Sequence, residues 1–155
     1  MFLVHENPDD RDQRIRDFLA SDLDAAIAVI LSAVQFEWTV RRAIIALGSS
    51  PNKKLREQLS QCYGLDKYKN MWKLEVHPKH HTRLTQIVEN WQDLRDAFNL
   101  RDRLLHGLTS CDRSYATRRV EAAIRAACFI RQFAQSKGVD LHKRLPIRRR
   151  VNTIF

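Results

Sequence analysis

Glycine and proline are scarce in this chain, which has only four residues of each among 155. Alanine, leucine, arginine and glutamine are common instead, and all four favour the α-helix. No stretch alternates apolar and polar residues with a period of two for long enough to indicate a strand. The sequence therefore predicts an all-α protein.

Cysteine is also scarce, and long apolar runs are absent from the sequence. The cysteines are odd in number, scattered and without C-x-x-C spacing, which is typical of a reduced intracellular protein: Cys62, Cys111 and Cys128. No apolar run approaches the roughly 18 residues of a membrane span, and the acidic start is unlike a signal peptide. We therefore expect a cytoplasmic protein that does not span a membrane.

Charge is distributed unevenly along the chain, whose net charge is +9. Residues 1–24 carry seven acidic and three basic residues, whereas residues 101–155 carry thirteen basic and four acidic ones. A basic C-terminal third favours a polyanionic partner. Nucleic acid is the first expectation, with an acidic protein or an anionic membrane surface as the alternatives.

Helical periodicity accounts for most of the sequence. A chain of this length fits one domain that buries about two thirds of its unfolded surface and needs no disulfide or metal ion. We expect an antiparallel up-down bundle of about four core helices and one or two short ones in residues 1–140, followed by a basic and apolar tail in residues 141–155. Besides a short helix at the start, the predicted helices are Ser21 to Leu47, Pro51 to Cys62, Leu65 to Val76, Thr82 to Leu105 and Tyr115 to Ser136.

The segment from Arg101 to Gly107 combines two chemistries that phosphodiester cleavage requires. Arg101 is permanently cationic, and five positions later His106 is able to take up or release a proton near neutral pH. Because the chain has 19 arginines and 6 histidines, such a pair arises readily by chance. Its weight therefore comes from its position, at the predicted end of a long helix that Gly107 stops.

The predicted helix also carries a polar stripe beside its apolar one, formed by Arg95, Asn99, Asp102 and His106. Asp102 lies one turn before His106, close enough to accept a hydrogen bond from the imidazole and fix its tautomer. Arg101 lies about 140° away from His106 on a regular helix. The two side chains therefore meet only if the helix unwinds near its end or if a second copy of the chain completes the pair.

A long amphipathic helix that ends in Arg, a polar residue, three further residues and His resembles the HEPN superfamily of small helical proteins, whose signature is R-x4-6-H. The segments FEWTVRRAIIALG and GLDKYKNMWKLEV also look like HEPN sequences, so the resemblance covers residues 22–136. It implies metal-independent RNA cleavage by a homodimer whose two motifs meet in one cleft, without a cofactor. It further implies a toxin–antitoxin or phage-defence role.

Under this resemblance His106 acts as general acid and base for the RNA 2′-hydroxyl, and Arg101 stabilises the phosphorane. Glu37 is the expected acidic contribution from the first long helix. A partner antitoxin or nucleotidyltransferase is also implied. However, Leu108 stands where some HEPN toxins carry a tyrosine that a nucleotidyltransferase modifies, so this chain lacks that target. The expected RNA contacts are Arg95, Asn99, Arg103, Arg148, Arg149 and Arg150.

Simpler interpretations remain open for the same residues. Arg101 and His106 fit a solvated helix end, where cations favourably meet the helix dipole, and Glu37 fits a surface pair with Arg41. The histidines at 77, 80 and 81, with Cys62, follow no common zinc spacing and are expected in a loop. The alternative function is a non-catalytic module that binds RNA or a partner protein through its basic C-terminal third.

Overall fold

The structure is a computed structural model and describes residues 7–149. It confirms the all-α prediction, because every regular element in these residues is helical. The α-helices are α1 (Pro8–Asp17), α2 (Ala25–Leu47), α3 (Asn52–Leu59), α4 (Leu65–Glu75), α5 (His77–His80), α6 (Leu84–Ile87), α7 (Trp91–Leu105) and α8 (Arg113–Ser136), with a 3-10 turn at Phe18–Ala20.

Three long helices, α2, α7 and α8, form the centre of the bundle. Phe36 of α2 packs edge-on against Phe98 of α7 at a centroid distance of 5.6 Å. The start of α2 lies with the end of α7 and the start of α8, since Ala28, Leu104 and Val120 share one apolar cluster. Helix α7 therefore runs antiparallel to both α2 and α8.

The core is divided into two clusters along the bundle. The larger one joins the second half of α2 with α3, α4, the start of α7 and the second half of α8, and it includes the fully buried Trp72. The smaller one joins α1 with the start of α2, the end of α7 and the start of α8. Arg101 therefore lies where the two clusters meet, over Phe98 of the larger one, and His106 lies at the end of the bundle that the smaller one fills.

The prediction of one helix from Thr82 to Leu105 is wrong, because the chain leaves the helical conformation at Val88 (φ −84°, ψ 89°). Val88 is fully buried, and Asn90 donates a hydrogen bond from Nδ2 to the Ala122 carbonyl at 3.0 Å. β-Branched residues such as those at 87 and 88 disfavour a helix only slightly. The break is therefore stabilised mainly by the burial of Val88 and the hydrogen bond of Asn90. Helix α7 then begins at Trp91.

Other predicted boundaries need smaller corrections. Helix α2 begins at Ala25 rather than Ser21, whose hydroxyl instead accepts from the Leu23 backbone N–H in the preceding turn. The histidine segment expected to be a loop forms the short helix α5. Leu105, the last residue of α7, is exposed.

The described part of the C-terminal segment packs on the bundle. Leu141 and Leu145 are buried in the larger cluster. Helix α2 ends at Gly48, where an added Cβ would lie 2.6 Å from the Ile44 carbonyl oxygen and 2.8 Å from Leu55 Cδ1. Gly48 therefore lets α3 approach the end of α2 closely. None of the helices in residues 7–149 is long and apolar enough to cross a membrane.

Candidate functional site

The end of α7 is closed by a compact turn. The backbone N–H of Leu108 donates to the Arg103 carbonyl at 2.8 Å, and that of Gly107 donates to the Leu104 carbonyl at 3.1 Å. These two hydrogen bonds form the Schellman motif, which requires the positive φ of 67° that Gly107 adopts. The helix stays regular to Leu105, and His106 follows it with φ −91° and ψ 5°.

Arg101 lies against α2 and is held by two carboxylates. Its Nη1 donates to Glu37 Oε1 at 3.2 Å, and its Nε donates to Asp102 Oδ1 at 3.0 Å. The guanidinium carbon also lies 4.7 Å from the centroid of the Phe98 ring. The Arg101 side chain is 15% exposed and that of Glu37 is 21% exposed, so their contact is shielded from water on most sides.

The structure thus brings Glu37 into contact with Arg101 of the motif. The alternative partner, Arg41, is occupied elsewhere: it donates to the Tyr68 hydroxyl at 2.9 Å and to the carbonyls of Leu59 and Cys62. Burial raises the pKa of Tyr68 to about 12, so the phenol is neutral at physiological pH. The simple surface pair of Glu37 with Arg41 is not formed.

The expected hydrogen bond between Asp102 and the His106 ring is replaced by the contact of Asp102 with Arg101. Asp102 and His106 are joined only through the backbone, where the His106 N–H donates to the Asp102 carbonyl at 3.1 Å. Neighbouring residues on a helix normally point apart, but the long Arg101 side chain folds over to reach Asp102. Among the described residues the His106 ring has no hydrogen-bond partner, and it is exposed.

Arg101 and His106 are therefore not brought together within one chain. Because α7 is regular through Leu105, the unwinding that would swing the imidazole towards Arg101 is absent from this structure. The two side chains remain about 140° apart around the helix axis. The route through an unwound helix end is therefore not observed, and Arg101 and His106 form no pair among the described residues.

Large apolar side chains are exposed at the same end of the bundle. This end surface consists of Leu23 and Ile27 from α2 and the turn before it, Leu105 and Leu108 from the end of α7, and Tyr115 from the start of α8. They share one end because α2 and α8 start where the antiparallel α7 stops. Because apolar patches mark interaction sites more often than scattered single residues do, this end of the bundle is a candidate for one.

The residues predicted to contact RNA differ in their exposure and in their partners. Arg95 forms an exposed ion pair with Asp66 at 3.2 Å, while Asn99 and Arg103 are exposed on α7. Arg148 is not available for RNA, because its guanidinium donates to the carbonyls of Ile45, Ala46 and Ser50 at 2.5 to 3.2 Å. Arg149 is exposed, and Arg150 lies outside the described residues.

The sequence did not reveal a buried polar network between α1, α2, α8 and the C-terminal segment. Asp12 accepts a hydrogen bond from Gln35 and lies 3.5 Å from Arg131 Nη2. Arg11 donates from Nη2 to His142 Nδ1 at 2.7 Å. Burial raises the pKa of Asp12, and burial with the nearby Arg11 lowers the pKa of His142 to about 4. In the sequence, only the polar residues at 32, 35 and 39 on the buried face of α2 indicated that such a network could form.

No group of three or more histidine, cysteine or acidic side chains within residues 7–149 is arranged to hold a metal ion. His80 packs edge-on near Phe133, at a centroid distance of 6.2 Å, and the exposed His81 ends α5 with a positive φ of 55°. Cys62 is buried, and burial raises the pKa of its thiol.

Comparison of this chain with protein-family models, with curated proteins and with solved structures finds no match.

Proposed function

We propose that this protein is a metal-independent endoribonuclease of HEPN type that acts as a homodimer. The observation that carries the proposal is the position of the motif: Arg101 is fixed against α2 by Glu37, and His106 lies exposed on the next turn of the chain. The HEPN resemblance supplies the reaction class and the toxin or phage-defence role. A partner antitoxin remains part of that proposal.

In the proposed reaction the RNA 2′-hydroxyl attacks the adjacent phosphorus, and the bond to the 5′-oxygen breaks. His106 takes the 2′-proton or protonates the leaving oxygen, a role that contributes about 10²- to 10⁴-fold. Arg101 donates hydrogen bonds to the phosphorane oxygens, for which its planar fork is suited. Glu37 and Asp102 hold the guanidinium in place.

The charge of the Arg101 cluster supports the requirement for a second copy. One guanidinium faces two carboxylates, so the cluster in one chain does not by itself attract a phosphate. A phosphate would displace the exposed Asp102 from Arg101 at low cost. Glu37 is mostly shielded from water and would stay on Arg101. A second chain placed against the apolar end surface would add its own His106 and Arg103 to the same cleft.

The first experiment compares cleavage of a mixed-sequence RNA by wild type, His106→Ala and His81→Asn. Asparagine tolerates the positive φ of His81, so this variant is a matched control for the loss of an exposed histidine. We expect no cleavage by His106→Ala, full cleavage by His81→Asn and no effect of EDTA on wild type. Full activity of His106→Ala, or loss of wild-type activity in EDTA, would contradict the proposal.

The two carboxylates on Arg101 favour one alternative, a non-catalytic module that binds RNA or a protein partner. In that case Arg101 stabilises the contact of α7 with α2 and takes no part in chemistry. Neutralising the exposed Arg103 and Arg149 would then weaken RNA binding and reduce its salt dependence, while His106→Ala would change nothing. Measuring binding and cleavage with the same variants separates the two functions.

A further inference from the structure

A basic cavity lies on the side of the bundle, between α4 and the turn that leads into α6. Its volume is about 290 Å³, which is near the lower end of the range for ligand sites. The residues that line it are Lys69, Asn70, Lys73, Arg83, Leu84 and Thr85. Its two walls are held together because Trp72 Nε1 donates to the Thr82 carbonyl at 2.9 Å and Leu84 is buried in the core. The backbone that forms the cavity is therefore fixed by the fold.

Three cationic side chains line this cavity, and no carboxylate among residues 7–149 lines it with them. Lys69 approaches Asp66 only at 4.0 Å. Lys69 and Lys73 are four residues apart on α4, a spacing at which like charges repel each other and destabilise the helix. The helix dipole accounts for Lys73, in the last turn of α4, but not for Lys69 or Arg83. An anion bound among the three cations would remove the repulsion, so the charges favour an anionic ligand.

A row of polar side chains leads from this cavity to His106. Asp66, beside Lys69, also pairs with Arg95 of α7 at 3.2 Å, so the cavity lies on the side of α7 that carries Arg95. Arg95, Asn99 and His106 lie within about 40° of one another around α7, and Arg95 and His106 are about 16 Å apart along it. Asp66 compensates the charge of Arg95 midway, whereas the cavity keeps its positive charge. One polyanionic strand could therefore pass His106 and end in the cavity.

We propose that this cavity binds a backbone phosphate of the RNA substrate, several nucleotides away from the bond that is cleaved at His106. Lys73 and Arg83 donate to the phosphate oxygens, and Lys69 adds positive charge. The inference rests on the proposed function, because it takes RNA as the substrate, and it adds where the strand beyond the cleaved bond is held. Phosphate contacts carry no sequence information, so the cavity contributes affinity and position but no base preference.

The first measurement is the affinity of the full chain for a single-stranded RNA of about 20 nucleotides, longer than common single-strand sites. Its 2′-hydroxyls are methylated so that it is not cleaved, and fluorescence anisotropy reports binding. Lys73→Gln/Arg83→Gln should weaken binding at least tenfold, and the slope of log K against log salt should fall by about 0.7, the share of one phosphate. Lys53→Gln/Lys54→Gln removes the same charge from exposed positions on α3 and should change neither quantity.

The second measurement compares cleavage of an unmodified RNA of the same length with cleavage of a dinucleotide. A dinucleotide contains only the cleaved phosphodiester and is too short to reach the cavity. Lys73→Gln/Arg83→Gln should raise KM for the long RNA at least tenfold with little change in kcat, because the cavity is remote from the reacting atoms. Its kcat/KM for the dinucleotide should equal that of wild type.

Several results would overturn the phosphate site. Unchanged RNA binding by the cavity variant, or equal weakening in both double variants, would exclude it, and an equal loss of dinucleotide cleavage would place the effect at His106. Polyglutamate that binds as tightly as RNA would assign the cavity to an acidic protein, and inorganic phosphate that displaces RNA at equal concentration would make it a site for free anions. A wild-type chain that binds both RNAs and cleaves neither would contradict the ribonuclease proposal, while the binding measurement still decides the cavity.

Discussion

At the scale of single residues, the Arg101 guanidinium shows how strongly a local environment selects among possible partners. Its hydrogen bond to Glu37 joins α7 to α2, and its guanidinium lies over the Phe98 ring, so the side chain is only 15% exposed. Asp102 was in reach of both Arg101 and His106, and it accepts from the cation. The guanidinium is permanently charged and offers several donors, and hydrogen bonds between charged groups are the stronger ones.

His142 yields a prediction on pH dependence. It stacks on Trp38 and faces Arg11, and burial lowers its pKa to about 4, whereas an unfolded histidine titrates near 6.5. Between these values the unfolded state binds a proton that the folded state excludes, so the free energy of unfolding falls as pH drops from about 6.5 to about 4. We expect His142→Asn to be less stable at pH 7 but to lose this part of the slope.

The measurement is the free energy of unfolding in urea between pH 7.5 and 4.5 for wild type, His142→Asn and His81→Asn. Asp12, whose raised pKa contributes with the opposite sign, is present in all three chains, so the difference isolates His142. His81 is exposed, and its variant should keep the wild-type slope. A His142→Asn variant with the wild-type pH slope would show that this imidazole does not resist protonation.

At the scale of elements, the C-terminal segment stabilises the end of α2. The Arg148 guanidinium donates to three carbonyls there, and Asn52 donates from Nδ2 to the Pro146 carbonyl at 2.8 Å. From the other side, Glu75 accepts from the backbone N–H groups of Ser49 and Ser50. The last carbonyls of a helix need such partners, and a cation also meets the helix dipole favourably.

Arg148→Ala should therefore lower the free energy of unfolding by about 2 kcal/mol or more, since hydrogen bonds from a charged donor are lost and the carbonyls are left without them. The neighbouring Arg149 is exposed, and Arg149→Ala should stay within about 0.5 kcal/mol of wild type. Urea unfolding measures both. Equal effects of the two substitutions would mean that Arg148 does not hold the C-terminal segment.

The main helices followed from the sequence because their apolar spacing was long and regular. The break between α6 and α7 could not be predicted in this way, because the apolar residues keep helical spacing across it: Leu84, Ile87, Leu94 and Phe98. The contact that stabilises the break, from Asn90 to the Ala122 carbonyl, depends on where α8 packs. The packing of Arg148 was equally hidden, because the carbonyls it binds lie about 100 residues earlier in the chain.

The candidate site was predicted in part. Glu37 and Arg101 were both named from their own helices, but their contact depends on how α2 and α7 pack, which one helix does not reveal. Helix geometry did predict the angular separation of Arg101 and His106, and the regular end of α7 keeps it.

At the scale of the whole molecule, the apolar end surface is the feature that a single bundle leaves unexplained. Large apolar side chains are exposed at the end of the bundle where α2 and α8 start and α7 stops: Leu23, Ile27, Leu105, Leu108 and Tyr115. A homodimer through this surface would bury them and bring a second His106 to Arg101. Such an interface uses the same patch on both copies.

Leu105→Glu should therefore weaken dimerisation, because the interface would have to bury a charge. Leu74 is an equally exposed leucine on α4, away from this surface, and Leu74→Glu is the matched control. Sedimentation should give a dimer for wild type and Leu74→Glu and a monomer for Leu105→Glu at the same helical content, with RNA cleavage lost only in the last. A Leu105→Glu variant that remains dimeric would place the interface elsewhere.

The most direct test of a catalytic pair shared between two chains is RNA cleavage by a mixture of Arg101→Ala and His106→Ala. Each variant alone should be inactive. After subunit exchange about half of the dimers are mixed, and each mixed dimer keeps one intact pair, so the mixture should recover about a quarter of wild-type activity. A mixture that forms mixed dimers and stays inactive would contradict the shared site.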